Sequence, residues 1–249
     1  MRQKHIPYGP YERYLKRPLD IFLALLTIVL FWWLYLIIAV LVRINLGSPI
    51  IFTQERIGKD EKIFRIYKFR TMTDAKDKNG KLLPDAERMT KLGKWLRSTS
   101  LDEILQAFNI LEGTCSWIGP RPLLASYLDK FNEIQRHRHD VRPGLIGFTK
   151  MGRHATSWEK QFEWDVWYAG HITLFEDIKI IFRAIPNVLS GFITISSPDR
   201  EAFTGSVHTG QTIESGSAGS GTDNNTAVRA KKNSEKEKEL YAAAQGEQR

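Results

Sequence analysis

Residues 21–42 form a run of 22 residues with no charged side chain and Thr27 as its polar interruption. No other property of the chain restricts its fold as strongly. As an α-helix the run would be roughly 33 Å long, enough to cross a hydrocarbon core of about 30 Å. It exceeds the usual apolar region of a cleaved signal peptide, and no small-residue cleavage site follows it. The run is therefore read as a membrane-inserted helix. Arg13, Lys16 and Arg17 precede it, and Arg43, Arg56 and Lys59 follow it. Cations are retained on the cytoplasmic side. Charge on both flanks fits either a weakly biased single span or a re-entrant helix whose ends emerge on one face. Trp32 and Trp33 stand at mid-run, far from the interfaces that tryptophan prefers, which favours a re-entrant path.

The remainder of the 249 residues is enough for one main core. Residues 50–54 and 63–69 are short segments rich in Ile, Phe and Tyr around a polar stretch with Gly58, Lys59 and Asp60, the pattern of a β-hairpin. Residues 85–96 and 101–111 carry apolar side chains at helical spacing, with Ile104, Leu105, Phe108 and Leu111 on one face. Further helices are predicted over 157–168 and 174–185, the second ended or kinked by Pro186. Gly119-Pro120-Arg121-Pro122 and Arg142-Pro143-Gly144 read as loops. The fold class is thus α+β: a helix-rich, membrane-associated domain with a short hairpin and an N-terminal inserted helix. Its division is 1–45 for the membrane segment, 46–197 for a cytosolic domain with amphipathic interfacial helices, and 198–249 for a polar tail. That tail is poor in large apolar residues, so ordering it would bury little, and it is expected to be disordered.

A net charge of +8 favours anionic partners. Basic residues do not interleave with aromatics as in an RNA-reading strand, so no nucleic acid partner is expected. Cys115 is the only cysteine, which rules out an intrachain disulfide and a Cys-rich metal site. Walker, dinucleotide and zinc spacings are absent. In Arg136-His137-Arg138-His139-Asp140 the alternation among cations reads as a solvated basic face.

The most informative stretch runs from Arg97 through Ser100-Leu101-Asp102-Glu103. Ser100 and Glu103 have the spacing of a capping box, which would make this an ordinary helix start. The same geometry would favour an ionised Asp102 near the positive end of a helix dipole, available as nucleophile or metal ligand. Lys68, Arg97, Arg121, Arg142 and Arg153 lie near element ends, where their charge suits a diphosphate. In the stretch Gly119-Pro120-Arg121-Pro122, two prolines would hold a guanidinium on a stiff backbone.

Taken in order, these motifs resemble the bacterial sugar transferase family, the monotopic polyprenol-phosphate phosphoglycosyl transferases. The series is Lys16-Arg17 with Asp20, Phe52-Thr53-Gln54 with Arg56 and Gly58, Tyr67-Lys68-Phe69-Arg70-Thr71-Met72, Leu96-Arg97 with Ser100-Leu101-Asp102-Glu103, Gly119-Pro120-Arg121-Pro122, and Arg142-Pro143-Gly144. The resemblance implies transfer of a sugar phosphate from a UDP-sugar to undecaprenyl phosphate in the bacterial inner membrane, on its cytoplasmic face and among its lipids. It implies Asp102 as nucleophile, Glu103 beside it, and Mg²⁺ held by both. Lys81-Leu82-Leu83 and Pro122-Leu123-Leu124 look most like members that take N,N′-diacetylbacillosamine phosphate. The family's membrane helix is re-entrant and breaks at a Ser-Pro pair, where this chain has Trp32-Trp33. Further departures fall at Thr114 and Cys115 and across 147–153, beside the expected site. They motivate an alternative, a membrane-anchored interaction protein of the same fold with impaired catalysis.

Overall fold

The computed structural model describes residues 5–147, 157–189 and 203–205. Helix α1 (Lys16–Leu46) follows a π-helical turn, Tyr11–Leu15. It is long and apolar enough to cross a membrane. The chain continues through β1 (Ile51–Ile57), β2 (Ile63–Phe69), α2 (Asp85–Arg88), α3 (Lys91–Ser98), α4 (Gln106–Glu112), β3 (Ser116–Ile118), α5 (Glu133–Arg136), β4 (Gly144–Ile146), α6 (Trp158–Gly170) and α7 (Leu174–Leu189). This is the α+β, helix-rich architecture expected, with the apolar helix at its N-terminal end.

Helix α1 is interrupted at Phe31, whose φ of −111° and ψ of 16° leave the helical region. There is no proline at this break. The Trp33 indole instead donates to the Leu30 carbonyl at 3.0 Å. On both sides of Phe31 the helix rests on the same globular body. Ala24 packs with Phe64, Ile66, Ala107, Ile110 and Cys115. Ile38 and Val42 pack with Phe69, Leu96 and Leu105. Tyr35 reaches the Ile104 carbonyl at 3.0 Å, so α4 and the turn before it lie along the break. Most of the remaining apolar surface of α1 is uncovered, with Phe22, Val29 and Trp32 each at least 60% exposed. Phe175 and Phe182 on α7 are similarly exposed, at 72% and 68%.

The hairpin pairs Ile51 with Phe69 through Ile57 with Ile63. Phe64 and Ile66, two apart on β2, enter the core as strand alternation requires. Between the strands Asp60 and Glu61 take left-handed φ values of 54° and 62°. Arg136 holds that turn through Glu61 at 2.9 Å. Arg70 ties the end of β2 to the end of α1, donating to the Leu46 and Ser48 carbonyls at 3.2 and 3.0 Å.

Several sequence expectations need correction. The helix expected over 85–96 is two helices, because Met89 is extended and bridges to Met72, and Thr90 caps α3 through Gly93 N at 2.9 Å. The Arg142-Pro143-Gly144 segment leads into a parallel strand pair, Ser116 with Gly144 and Ile118 with Ile146. Strand alternation is unreadable in three-residue strands, and a Cβ on Gly144 would lie 2.0 Å from Gly119 N. Pro186 does not end α7, which continues to Leu189 with the proline inside it. Only the last turn loses a donor. Arg138 and His139 are 2% and 3% exposed, so they are core and not a solvated face. Phe203, within the stretch expected to be disordered, is buried against Phe131 and Phe162 in a cluster that includes Tyr127 and Trp158. Apart from 203–205 that tail lies outside the described residues, as does 148–153 of the altered segment.

Candidate active site

Asp102 and Glu103 occupy a 3-10 turn, Leu101–Glu103, between α3 and α4, and both are buried. The capping box does not form. Ser100 takes φ 55° and ψ 18° and makes no side-chain cap bond, while Glu103 N donates to the Ser100 carbonyl at 3.1 Å. Glu103 is drawn to Lys68, whose Nζ lies 2.8 Å from Oε1. A charge-assisted bond of this kind is stronger than one to a neutral amide. Helix α4 starts only at Gln106 and has seven residues. The positive field at Asp102 therefore comes from side chains more than from a helix end.

Those side chains arrive from three segments. Lys68 is on β2, paired across the hairpin with Phe52. Burial lowers its pKa below the ordinary lysine value, opposed by Glu103, reinforced by Arg121 and opposed again by Asp102. Arg121 extends from the double-proline loop. Arg56 is the member that sequence reasoning did not place in the site, although it stood in the motif series. It donates to Gln54 Oε1 at 2.6 Å and to the Pro122 carbonyl at 3.3 Å, and its Nε is buried without a bond. Burial and neighbouring Arg121 push its pKa down to about 10, against the pull of Glu103. A half-buried arginine on a strand resembles any other strand cation in sequence, and only the pairing of β1 with the loop at Pro122–Leu124 brings it to Arg121.

The structure thus groups Arg56, Lys68 and Arg121 with Asp102 and Glu103. Three cations against two carboxylates leave positive charge for an anion. Arg97 ends α3 just before the turn, with Nε donating to Thr71 Oγ1 at 3.0 Å. Arg142 donates to the Gly113 carbonyl at 2.9 Å, and Arg17 donates to that of Leu111 at 3.3 Å. Both serve the C-terminal end of α4, where cations complement exposed carbonyls. Arg153 lies outside the described residues.

Thr114 and Cys115 follow the C-terminal end of α4, whereas the carboxylates precede its N-terminal end. They are not beside the site, because a seven-residue helix of roughly 10 Å intervenes. The Cys115 thiol is buried in the core under α1, and burial pushes its pKa up to about 12, so it is not a nucleophile at neutral pH. Among the described residues no group of three His, Cys, Asp or Glu side chains forms a metal cage. Two adjacent, buried carboxylates do fit Mg²⁺, which typically takes one or two carboxylates and completes its shell with phosphate and water oxygens.

An apolar helix long enough to cross a membrane, seated on a domain with two buried carboxylates among cations, is an arrangement suited to a membrane-associated enzyme with an anionic substrate. The sequence profile described as "Bacterial sugar transferase" matches residues 11–191. The uncharacterized sugar transferase EpsL of Bacillus subtilis (strain 168) is 44% identical over 195 residues, covering 77% of this chain and 96% of that protein. The UDP-N-acetylgalactosamine-undecaprenyl-phosphate N-acetylgalactosaminephosphotransferase of Aeromonas hydrophila is 36% identical, covering 74% of this chain and 46% of the relative. The UDP-glucose:undecaprenyl-phosphate glucose-1-phosphate transferase of Klebsiella pneumoniae is 37% identical, covering 77% and 43%. The chain thus spans nearly all of the first relative and less than half of the other two. It belongs to the bacterial sugar transferase family.

Proposed function

We propose that the protein transfers a sugar 1-phosphate from a UDP-sugar to undecaprenyl phosphate, with Asp102 as nucleophile. The observation that carries this reading is the junction of Asp102 and Glu103 with Lys68, Arg56 and Arg121. An Asp102 oxygen attacks the β-phosphorus, and the bond from that phosphorus to the bridging oxygen breaks. UMP leaves with the bridging oxygen, and the sugar phosphate stays on Asp102. A phosphate oxygen of undecaprenyl phosphate then attacks the same phosphorus, breaking the aspartyl–phosphate bond and restoring the carboxylate. Arg121 and Lys68 neutralise the phosphoryl oxygens as charge builds, the effect that dominates phosphoryl transfer. Arg56 supports them from beside Arg121. Mg²⁺ held by Asp102 and Glu103 would offset the diphosphate charge and the charge of the leaving UMP. Arg97, Arg142 and Arg153 are assigned to shaping the phosphate site from its edges.

The donor is proposed to be UDP-N,N′-diacetylbacillosamine or a related N-acetylated UDP-sugar, consistent with the N-acetylated donor in the name of the Aeromonas relative. Helix α1 is proposed to be re-entrant, with the site at the cytoplasmic face. Support comes from the contact of both arms with one body and from the break at Phe31. A straight span touching that body at both ends would carry its charged groups into hydrocarbon. Cations on both flanks fit the same side. The alternative of an impaired interaction protein loses one of its motives, since Thr114 and Cys115 stand at the far end of α4.

The test is UMP release by the full chain in lipid nanodiscs containing undecaprenyl phosphate and Mg²⁺, offered a panel of UDP-sugars. Release with at least one sugar is expected, together with its abolition by Asp102→Asn and radiolabelled sugar phosphate trapped on Asp102. Absence of UMP with every sugar, or full activity of Asp102→Asn, would overturn the reading.

A further inference from the structure

The loop that presents Arg121 has little means of supporting itself, because Pro120 and Pro122 contribute no amide hydrogen. Four successive carbonyls of this loop are held from elsewhere. Pro120 O accepts from Gly144 N at 2.9 Å, and Leu123 O from Ile57 N at 3.0 Å. Between them, Arg121 O accepts from Arg138 Nη2 at 2.8 Å and Pro122 O from Arg56 Nη1 at 3.3 Å. Backbone amides hold the outer two, and the guanidiniums of Arg138 and Arg56 hold the inner two.

Arg138 is the more constrained of these guanidiniums. Its Nε and Nη2 lie 3.1 and 2.6 Å from Asp165 Oδ2 on α6. Its guanidinium lies 5.6 and 5.4 Å from the ring centres of Phe131 and Phe162. Taking both charges of a pair out of water is costly, and apolar residues of equal volume are often as stable, so stability alone is a poor account of this pair. The planar fork, in contrast, can satisfy the carboxylate and the carbonyl together in one orientation. Asp165 sets the rotation of Arg138, and Arg138 sets the position of the Arg121 carbonyl.

We infer that the Arg138–Asp165 pair is a positioning device for Arg121, aiming its guanidinium at the phosphoryl group that the site binds. The inference rests on the proposed phosphoryl-transfer reading. Arg138 and Asp165 are 2% and 3% exposed, so they act on Arg121 from within the core. Lysine at 138 keeps the charge but, as a point donor, cannot span both acceptors.

The experiment compares Arg138→Lys and Asp165→Asn, each alone and in an Arg121→Ala background, by kcat/KM for UMP release from the full chain in nanodiscs. Alone, each variant is expected to lose at least about tenfold, since a misplacement near 1 Å can cost on the order of a hundredfold. In the Arg121→Ala background the same changes should alter kcat/KM by less than about twofold, as expected for residues acting through one group. Equal losses in both backgrounds would overturn the inference and assign the pair a general structural role. Hydrogen exchange across residues 119–124 gives a reading independent of turnover. Faster exchange in folded Asp165→Asn is expected, and exchange equal to wild type would also overturn the inference. If wild-type protein releases no UMP, the functional reading fails, while the exchange result still decides whether the pair holds the loop.

Discussion

Asp177→Asn should destabilise the whole domain, because Asp177 joins the start of the membrane segment to the last two helices. Its carboxylate accepts from Tyr11 OH at 2.7 Å and Lys16 Nζ at 2.6 Å at one oxygen, and from Tyr168 OH at 2.6 Å at the other. The side chains of Lys16 and Asp177 are 12% and 4% exposed, so solvent screens the pair little. Asparagine keeps the shape and one acceptor oxygen, but turns an amide donor toward at least one of the three donors. Removing one partner of a buried pair costs about 3–5 kcal/mol, chiefly through the charge left behind. In a protein of this size each kcal/mol corresponds to roughly 2–4 °C, so the melting midpoint should fall by about 6–20 °C. Scanning calorimetry or tryptophan fluorescence in nanodiscs measures it. A fall of less than about 2 °C would refute the reasoning, because it would mean that the cluster is well hydrated.

The same cluster has a signature in pH. Burial first, and then Asp177, raises the Tyr168 pKa well above 10 in the fold. An unfolded tyrosine ionises near pH 10. Below that pH both states are protonated and the stabilising contribution is complete; as pH rises further, the unfolded chain ionises first and stability is lost. Wild-type protein should therefore lose stability more steeply above about pH 10 than Asp177→Asn, from which one cause of the shift has been removed.

Two other predictions test the helix break and the close approach of α3 to Thr71. Trp33→Phe retains an aromatic ring but leaves the Leu30 carbonyl without the indole donor; a loss of about 1–3 kcal/mol is expected, read as an earlier denaturation midpoint in bilayers, and an unchanged midpoint would show that the break needs no indole. Gly93→Ala should be destabilising by at least about 1–3 kcal/mol in chemical denaturation, although alanine is the better helix former, because its Cβ would lie 1.9 Å from the Thr71 carbonyl oxygen. A neutral or stabilising result would show that α3 can shift away from Thr71.

The long apolar helix, the hairpin and helix α7 could be read from residue order, because each follows from a local apolar pattern or turn composition. The adjacency of Asp102 and Glu103 was equally visible. What those carboxylates face was not. Ser100 and Glu103 have the spacing of a cap, yet the chain from Lys68 to Glu103, 35 positions apart, folds so that a lysine takes the glutamate. Arg56 joins the site, and Arg142 is bonded to Gly113, through strand pairing and loop closure that leave no periodic trace. The reversal at 137–139 has the same cause. Alternating His and Arg look like a solvated surface until Phe131 nearby and Phe162 and Asp165, more distant in the chain, enclose Arg138. Local patterns are written in neighbouring residues and survive in the one-dimensional string. The pairing of buried charges depends on which segments meet, and only the folded chain decides that.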